Sequence, residues 1–243
     1  MRELRIAAVA DIHLGEDVRG HYRKKLEGIE QRADVLLVGG DLTRHGTVQE
    51  GRVVAEELRD LPIPVVAVLG NHDYHSDANK EIIEVLRDTG ITVLDDESTV
   101  VPLDGVRLGV AGGKGFGGGF AGKCASEFGE PETKAFVRHT REIAERWRLA
   151  LKGLEADHKV VLSHYSPVKD TLTGEPPEIY PFLGSYLLAE AADAEGADLF
   201  VHGHAHAGTE KGVTPGGIRV RNVALPVIEH AYVVYCLNGD GDC

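Results

Sequence analysis

The chain has 243 residues, of which 42% are hydrophobic and 27% are charged. This ordinary globular composition excludes a fully disordered chain and a fibrous repeat protein. With 26 Lys and Arg against 39 Asp and Glu, the net charge of −13 at pH 7 argues against a protein that coats nucleic acid or an anionic membrane, since both tasks reward a basic surface.

The first ninety residues alternate short apolar runs with longer amphipathic stretches. This alternation predicts strands and helices in turn, which is typical of parallel strands joined by crossover helices. The predicted strands cover residues 4–10, 35–38 and 65–69, and the predicted helices cover residues 22–32, 48–59 and 78–89.

The remainder of the chain is richer in strands. Short runs at 91–94, 99–103 and 106–111 predict an antiparallel meander, and a helical spacing of apolar residues from Phe136 to Leu154, with Pro131 near its start, predicts a long packed helix. Four more strands are predicted at 160–163, 199–201, 218–223 and 231–237. We therefore expect one domain over residues 1–243, with two sheets face to face and helices outside.

Residues 112–122 read GGKGFGGGFAG, and seven of these eleven residues are glycine. The segment lacks the Lys-Ser or Lys-Thr pair that ends a P-loop. So many glycines predict a mobile segment, because ordering them costs much conformational entropy. It is either an exposed connector or a lid, in which Phe116 and Phe120 close over a substrate ring while Lys114 or Lys123 meets phosphate charge.

Candidate metal ligands follow five predicted strands, at the point where each strand ends. In chain order they are Asp11 and His13, then Asp41, then Asn71 beside His72 and Asp73, then His164, then His204 and His206. Because ligands gather at the carboxyl ends of parallel strands, we expect these side chains to meet. The glycines at positions 39, 40, 70 and 203 favour this interpretation, since the backbone must turn sharply there.

With His72 held back, the set holds two Asp, one Asn and four His. This is too many ligands for one tetrahedral zinc ion, and it suits two metals that share a bridging carboxylate. No thiolate is present, so the candidates are Mn²⁺, Fe and Zn²⁺ rather than an iron–sulfur cluster. Two such ions about 3.5–4 Å apart make a nucleophile from a bridging water and neutralise a phosphate during in-line displacement.

The order of these blocks resembles the calcineurin-like metallophosphoesterase superfamily. The matching blocks, between residues 11 and 206, are Asp11-Ile12-His13, Gly40-Asp41, Gly70-Asn71-His72-Asp73, His164 and Gly203-His204-Ala205-His206. The resemblance implies the metallo-dependent phosphatase fold, a four-layer α/β/β/α sandwich of two mixed sheets flanked by helices. This agrees with the two face-to-face sheets expected above.

The resemblance also implies a role for each of these residues. The first metal would be held by Asp11, His13, Asp41 and His206. The second would be held by Asp41, Asn71, His164 and His204, so that Asp41 bridges the two. His72 would contact the substrate phosphate, as a general acid or as a stabiliser of the transition state.

Two departures from the family pattern narrow the range of activities that the resemblance implies. Phosphoprotein phosphatases of the superfamily carry an Asp three places and an Arg four places after the bridging Asp, where this chain has Arg44 and His45. The Asp that would orient His72 is therefore missing, which argues against a protein phosphatase. The stretch GDLT from Gly40, with Gly46, resembles small bacterial phosphodiesterases instead. Arg44 and His45 are candidates for substrate binding.

We therefore expect a dinuclear metal-dependent phosphoesterase, in which metal-bound hydroxide attacks a phosphodiester or a small organic phosphate. A nuclease is disfavoured, since the acidic surface repels a long polyanion. The alternative is a non-catalytic metal-binding scaffold of the same fold that recruits protein partners. A scaffold has no need of His72, so the match at that position favours the enzyme. The sequence leaves the oligomeric state open, a homodimer being one option.

Location in the cell is predicted from what the sequence lacks. The first ten residues read as a strand interrupted by Arg2 and Arg5 rather than as a signal peptide. No apolar run reaches the roughly 18 residues that a membrane helix needs. The cysteines Cys124, Cys236 and Cys243 are far apart and predict no disulfide framework. We expect a cytoplasmic protein.

Overall fold

The computed structural model describes residues 3–237, which build a five-stranded sheet, a six-stranded sheet and a two-stranded hairpin. The strands are β1 Leu4–Val9, β2 Val35–Gly39, β3 Val65–Val68, β4 Thr92–Leu94, β5 Glu97–Leu103, β6 Val106–Gly113, β7 Gly119–Phe120, β8 Lys123–Cys124, β9 His158–Ser163, β10 Leu199–His202, β11 Lys211–Val213, β12 Arg219–Asn222 and β13 Val233–Leu237. The α-helices are α1 Val48–Leu58, α2 Asn79–Asp88, α3 Pro131–Lys152, α4 Tyr180–Leu183, α5 Tyr186–Glu195 and α6 Leu225–Ile228.

The first sheet has the strand order β13-β1-β2-β3-β4. Strands β1 to β4 run parallel, and β13 adds to β1 in the antiparallel direction. The central strand β2 reads VLLVG and is buried on both faces, as parallel strands covered on both sides are. Apolar residues of α1 and α2, such as Val53 and Ile82, join the same core. These two helices therefore form the outer layer on this side.

The second sheet has the strand order β11-β12-β10-β9-β6-β5, in which the four inner strands are parallel. Side chains along β9 alternate between two cores. Val160 and Leu162 join the core shared with the first sheet, whereas Val161 packs in a second core with Trp147 of α3. The sheet is thus covered by the other sheet on one face and by helices on the other. The predicted four-layer α/β/β/α sandwich is confirmed.

Two predicted elements differ from the structure. The stretch 22–32 is not an α-helix but contains two short 3-10 turns, and Gly28 between them has a φ of 75°, which breaks a right-handed helix. The prediction that residues 91–94 belong to an antiparallel meander is also wrong, because β4 extends the first sheet parallel to β3. Only β5 and β6 form the predicted antiparallel pair.

The glycine-dense segment 112–122 is packed into the fold and is not an exposed connector. Most of it is buried, with Ala121 and Gly122 exposed at its end, and it contributes the end of β6 and all of β7. A Cβ on Gly112 would collide with the carbonyl oxygen of Leu162, and one on Gly117 would collide with that of Pro181. These glycines allow backbones to approach closely, and the mobility of the segment stays a prediction.

Two observations bear on the predicted location. Within residues 3–237, no helix has the length and apolar character needed to cross a membrane. Cys236 on β13 is disulfide-bonded, so the expectation of cysteines without a disulfide is wrong for this residue. The cysteine pattern therefore no longer supports a reducing compartment.

Candidate metal centre

Five strands of the two sheets deliver the predicted ligands to one place. β1 leads to Asp11, β2 to Asp41, β3 to Asn71, β9 to His164 and β10 to His204. Three sets of side chains each place one ligand atom per residue within 4.8 Å of the others, and they share members. The sets are Asp11, His13 and His206; His13, Asp41 and His72; and Asp11, Asp41 and His164.

Asp41 lies at the centre of this arrangement and is 1% exposed. Its Oδ1 is 3.3 Å from Nε2 of His164, whereas its Oδ2 is 3.7 Å from Nε2 of His13. The two oxygens of one carboxylate therefore face two different histidines. Two oxygens that face different histidines allow one carboxylate to contact two metal ions.

The remaining predicted ligands lie on either side of Asp41. On one side, Oδ1 of Asp11 is 2.8 Å from Nε2 of His206. On the other, Oδ1 of Asn71 is 3.0 Å from Nε2 of His164. Donor atoms that lie this close to one another can share one ion.

His204 takes a different position from the other predicted ligands. Its backbone N–H donates to Oδ2 of Asp11 at 2.9 Å, but its imidazole Nε2 lies 3.2 Å from the carbonyl oxygen of Phe182. The ring packs against Tyr165, with 4.4 Å between the ring centroids. Its imidazole is absent from the three sets above. The structure thus brings six of the seven predicted ligands together with His72, and places the His204 ring beside them.

The charge balance of the site fits a bound cation. In the described part of the chain, every ion-pair partner of Asp11 and Asp41 is a histidine. Carboxylates buried without Lys or Arg are costly to keep ionised. Burial lowers the pKa of His13 and brings that of His204 to about 3, and a neutral imidazole is the form that binds metals. Oxygen and neutral nitrogen donors around two buried carboxylates are a suitable set for Mn²⁺, Fe or Zn²⁺.

The backbone at the ligands is held in an uncommon conformation. The φ angles are 58° at Asp11, 41° at His13, 49° at Asp41 and 71° at His204. Left-handed conformations of this kind in non-glycine residues cost on the order of 1–3 kcal/mol each and cluster at functional sites. A Cβ on Gly70 would collide with Oδ1 of Asp41, so glycine is required there by close packing rather than by a left-handed turn.

His72 is oriented by a backbone group. Its Nδ1–H donates to the carbonyl oxygen of Arg44 at 2.9 Å, which leaves Nε2 on the side of the site, 4.0 Å from Oδ2 of Asp41. Its own backbone N–H donates to Oδ1 of Asp41 at 2.8 Å. The carbonyl of Arg44 therefore does the orienting that the missing Asp would do.

Comparison with known proteins agrees with this geometry. A family model described as calcineurin-like phosphoesterase matches residues 4–208. The chain belongs to this family. The resemblance seen in the five sequence blocks is thereby confirmed.

Several individual proteins are similar to this member of the family. Phosphodiesterase YaeI of Escherichia coli (strain K12) is 31% identical over 160 residues, which are 61% of this chain and 55% of the relative. A protein of Pseudoalteromonas sp. (strain SM9913) named "Probable cyclic nucleotide phosphodiesterase PSM_A2567" is 37% identical over 83 residues, 29% of this chain and 32% of that protein. The matches therefore span about half, or less, of these relatives.

Solved structures share the fold over a longer stretch. Phosphopantetheinyl hydrolase PptH from Mycobacterium tuberculosis aligns with a TM-score of 0.67 over 93% of this chain and 91% of its own, at 16% identity. A likeness at this identity concerns the fold alone, and it supports the four-layer architecture.

The two predicted substrate-binding residues of this calcineurin-like chain are held by acidic neighbours. The guanidinium of Arg44 lies 3.0 Å from Oδ1 of Asp17, and Nδ1 of His45 lies 2.9 Å from Oε1 of Glu50. The side chain of Arg44 is 42% exposed and that of His45 is 59% exposed. A role for either side chain in substrate binding stays a prediction.

Asp73 is a residue of the site whose role the sequence did not reveal. It is completely buried, and it accepts hydrogen bonds from the backbone N–H groups of Leu42, Thr43 and Gly70 and from the hydroxyl of Thr43, at 2.6–3.2 Å. Burial, followed by the nearby Asp41, raises its pKa to about 6. Asp73 thus ties the turn that carries Asp41 to the turn that carries Asn71.

Replacing this carboxylate should destabilise the protein. Asp73→Ala leaves four buried donors without their acceptor, and each unsatisfied group costs about 1–3 kcal/mol. We expect a loss of roughly 3 kcal/mol or more in the free energy of unfolding, measured by urea denaturation. The control Asp88→Ala changes an exposed Asp at the end of α2 and should stay within about 0.5 kcal/mol of the parent. Equal stabilities of the two variants would contradict the role given to Asp73.

Proposed function

We propose that this protein is a phosphoesterase that works with two metal ions. The observation that carries the proposal is the position of Asp41, whose two oxygens face His164 on one side and His13 on the other. Membership of the calcineurin-like phosphoesterase family supports the same activity.

The ligands divide into two sets around Asp41. One set is Asp11, His13, Asp41 and His206, and the other is Asp41, Asn71, His164 and His204. The first three of the second set are in contact, while His204 joins it by turning its ring away from the Phe182 carbonyl. Two bound ions would supply an activated water nucleophile and neutralise phosphate oxygens.

His72 acts on the substrate rather than on the metals. With its Nδ1–H fixed on the Arg44 carbonyl, the ring presents Nε2 to the site. When both ring nitrogens carry a proton, Nε2–H can pass its proton to the leaving oxygen or donate a hydrogen bond to the phosphate. Its side chain is 46% exposed, so a substrate can reach it from solvent.

The substrate class we propose is a phosphodiester or a small organic phosphate. The E. coli relative is named a phosphodiesterase, and the Arg44–His45 pair replaces the residues typical of phosphoprotein phosphatases. The net charge of −13 disfavours a long polyanion such as a nucleic acid.

Removing the metals should abolish turnover. After treatment with a chelator and dialysis, we expect no hydrolysis of bis(4-nitrophenyl) phosphate, 4-nitrophenyl phosphate or cyclic nucleotides. Activity should return when Mn²⁺, Fe²⁺ or Zn²⁺ is added, with two ions per chain by elemental analysis. Unchanged turnover in the stripped protein would contradict the proposal. Two bound ions without turnover of any ester would favour the alternative, a metal-binding scaffold that recruits partners.

A further inference from the structure

A cavity of about 640 Å³ lies beside the candidate metal centre. Asn71 and Tyr165 belong to both, because Asn71 also contacts His164 and Tyr165 packs on the ring of His204. The cavity therefore opens onto the site where the phosphate would bind. Its volume lies in the range of pockets that hold a small organic ligand.

The backbone of Lys114, directly after β6, is held by the turn that carries His164. Its carbonyl oxygen accepts hydrogen bonds from the backbone N–H groups of His164 and Tyr165, both at 3.1 Å. Its Nζ lies 4.9 Å from the ring centroid of Phe116, 5.1 Å from that of Tyr165 and 5.2 Å from that of Tyr74. Three aromatic faces thus surround the ammonium, and each attracts it modestly.

The ammonium of Lys114 has donors to spare. Its one hydrogen bond within residues 3–237 goes to the carbonyl oxygen of Gly115 at 3.2 Å, and it forms no ion pair there. Burial lowers the pKa of Lys114 to about 8, although Asp96, Asp95 and Asp41 oppose the shift. A desolvated cation with two unused N–H groups favours an anionic partner.

Three other charged groups of the cavity are either paired with one another or exposed to solvent. Arg146 lies 2.6 Å from Oδ2 of Asp96, whose Oδ1 accepts a hydrogen bond from Trp147 Nε1 at 2.7 Å. Asp95 is exposed to solvent. Lys114 is thus the free positive group of the cavity wall, and bound metal ions next door would strengthen the attraction for an anion.

We propose that this cavity binds one ester arm of the substrate, and that the arm is a planar ring bearing an anionic substituent such as a carboxylate. This inference rests on the proposed phosphoesterase function. The ring lies against the aromatic walls of Phe116, Tyr165 and Tyr74, and the substituent meets the ammonium of Lys114. The phosphate of the same molecule lies past Asn71 at the metal centre.

The test uses two diesters that share the leaving group 4-nitrophenol. One carries a benzyl arm, and the other carries the same arm with a para-carboxylate. We expect the parent enzyme, loaded with Mn²⁺, to prefer the carboxylate arm by about 10- to 100-fold in kcat/KM, because a charge-assisted contact forms out of bulk water. Lys114→Met keeps an unbranched side chain that is one atom shorter and uncharged, and it should bring this ratio close to one. The control Lys123→Met, which changes an exposed lysine on β8, should keep the parent ratio.

Binding gives a second readout that does not require turnover. Benzylphosphonate and its para-carboxylate should show the same order of affinity by calorimetry on the metal-loaded protein, and Lys114→Met should remove the difference. If Lys114→Met slows both diesters equally, Lys114 acts on the reacting phosphate and the proposed arm is wrong. A parent enzyme that does not prefer the carboxylate also overturns it. Absence of turnover with both diesters, while the phosphonates still differ in affinity, would instead contradict the proposed function.

Discussion

Replacing Asp41 by asparagine should leave at most one tightly bound metal ion per chain. The substitution keeps the size of the side chain but removes the charge that both ligand sets share, and Asn tolerates the left-handed backbone found here at a φ of 49°. Turnover should fall by about 10³-fold or more, because the metals contribute several kcal/mol to the transition state. Elemental analysis of the dialysed variant and its kcat measure the two effects.

The matched control for this variant is Asp60→Asn. Asp60 also has a positive φ, of 53°, but its side chain is exposed and lies outside the metal centre. The control therefore makes the same chemical change in the same backbone conformation, and it should keep both metals and full turnover. If Asp41→Asn retained two tightly bound ions, the carboxylate would not be the bridge, and the two-set division of the ligands would be wrong.

Much of the metal centre can be predicted from the sequence because its ligands occupy strand ends. Strands are recognised in the sequence as short apolar runs, and a polar residue directly after such a run lies at the carboxyl end of its strand. Asp11, Asp41 and His164 are visible in this way. The ring position of His204 is not, because the Phe182 carbonyl and the Tyr165 ring that hold it come from distant parts of the chain.

Features built from backbone groups are the ones that sequence patterns miss. His72 is oriented by the backbone carbonyl of Arg44, whereas the sequence suggests a role only for the Arg44 side chain, which pairs with Asp17. In the sequence, Asp73 looks like any acidic residue next to a metal ligand. The Leu42 and Thr43 backbone N–H groups that donate hydrogen bonds to it lie about 30 residues away along the chain. Glycine content indicates freedom in an isolated chain, whereas at Gly112 it reflects the approach of a neighbouring strand.

The errors in the predicted fold have a similar cause. The amphipathic spacing of residues 22–32 favours a helix locally, but a left-handed Gly28 interrupts it. The partner of β4 is set by packing between sheets, and a three-residue strand carries too little pattern to identify its neighbour. Layer order, in contrast, follows from the alternation of strands and helices and was predictable.

Replacing His72 by alanine should separate metal binding from chemistry. The backbone N–H that donates to Asp41 remains in the variant, so both metals should stay bound. Loss of a positioned proton donor should lower kcat by about 10²–10⁴-fold for an ester with a poor leaving group. The loss should be smaller for a 4-nitrophenyl ester, because that leaving group needs less protonation. The control His21→Ala changes an exposed histidine outside the centre and should leave kcat and metal content unaltered.

The leaving-group dependence decides what His72 does. A general acid protonates the departing oxygen, so its loss must slow the hydrolysis of an alkyl ester more than that of an aryl ester. A hydrogen-bond donor to the phosphate acts on both esters alike, and the variant would then slow them equally. Because Nε2 of His72 lies 4.0 Å from Oδ2 of Asp41, the ring is also close enough to be a ligand, and a drop in metal content would assign it to that role instead. With metals retained, an alkyl ester slowed far more than an aryl ester identifies His72 as the general acid.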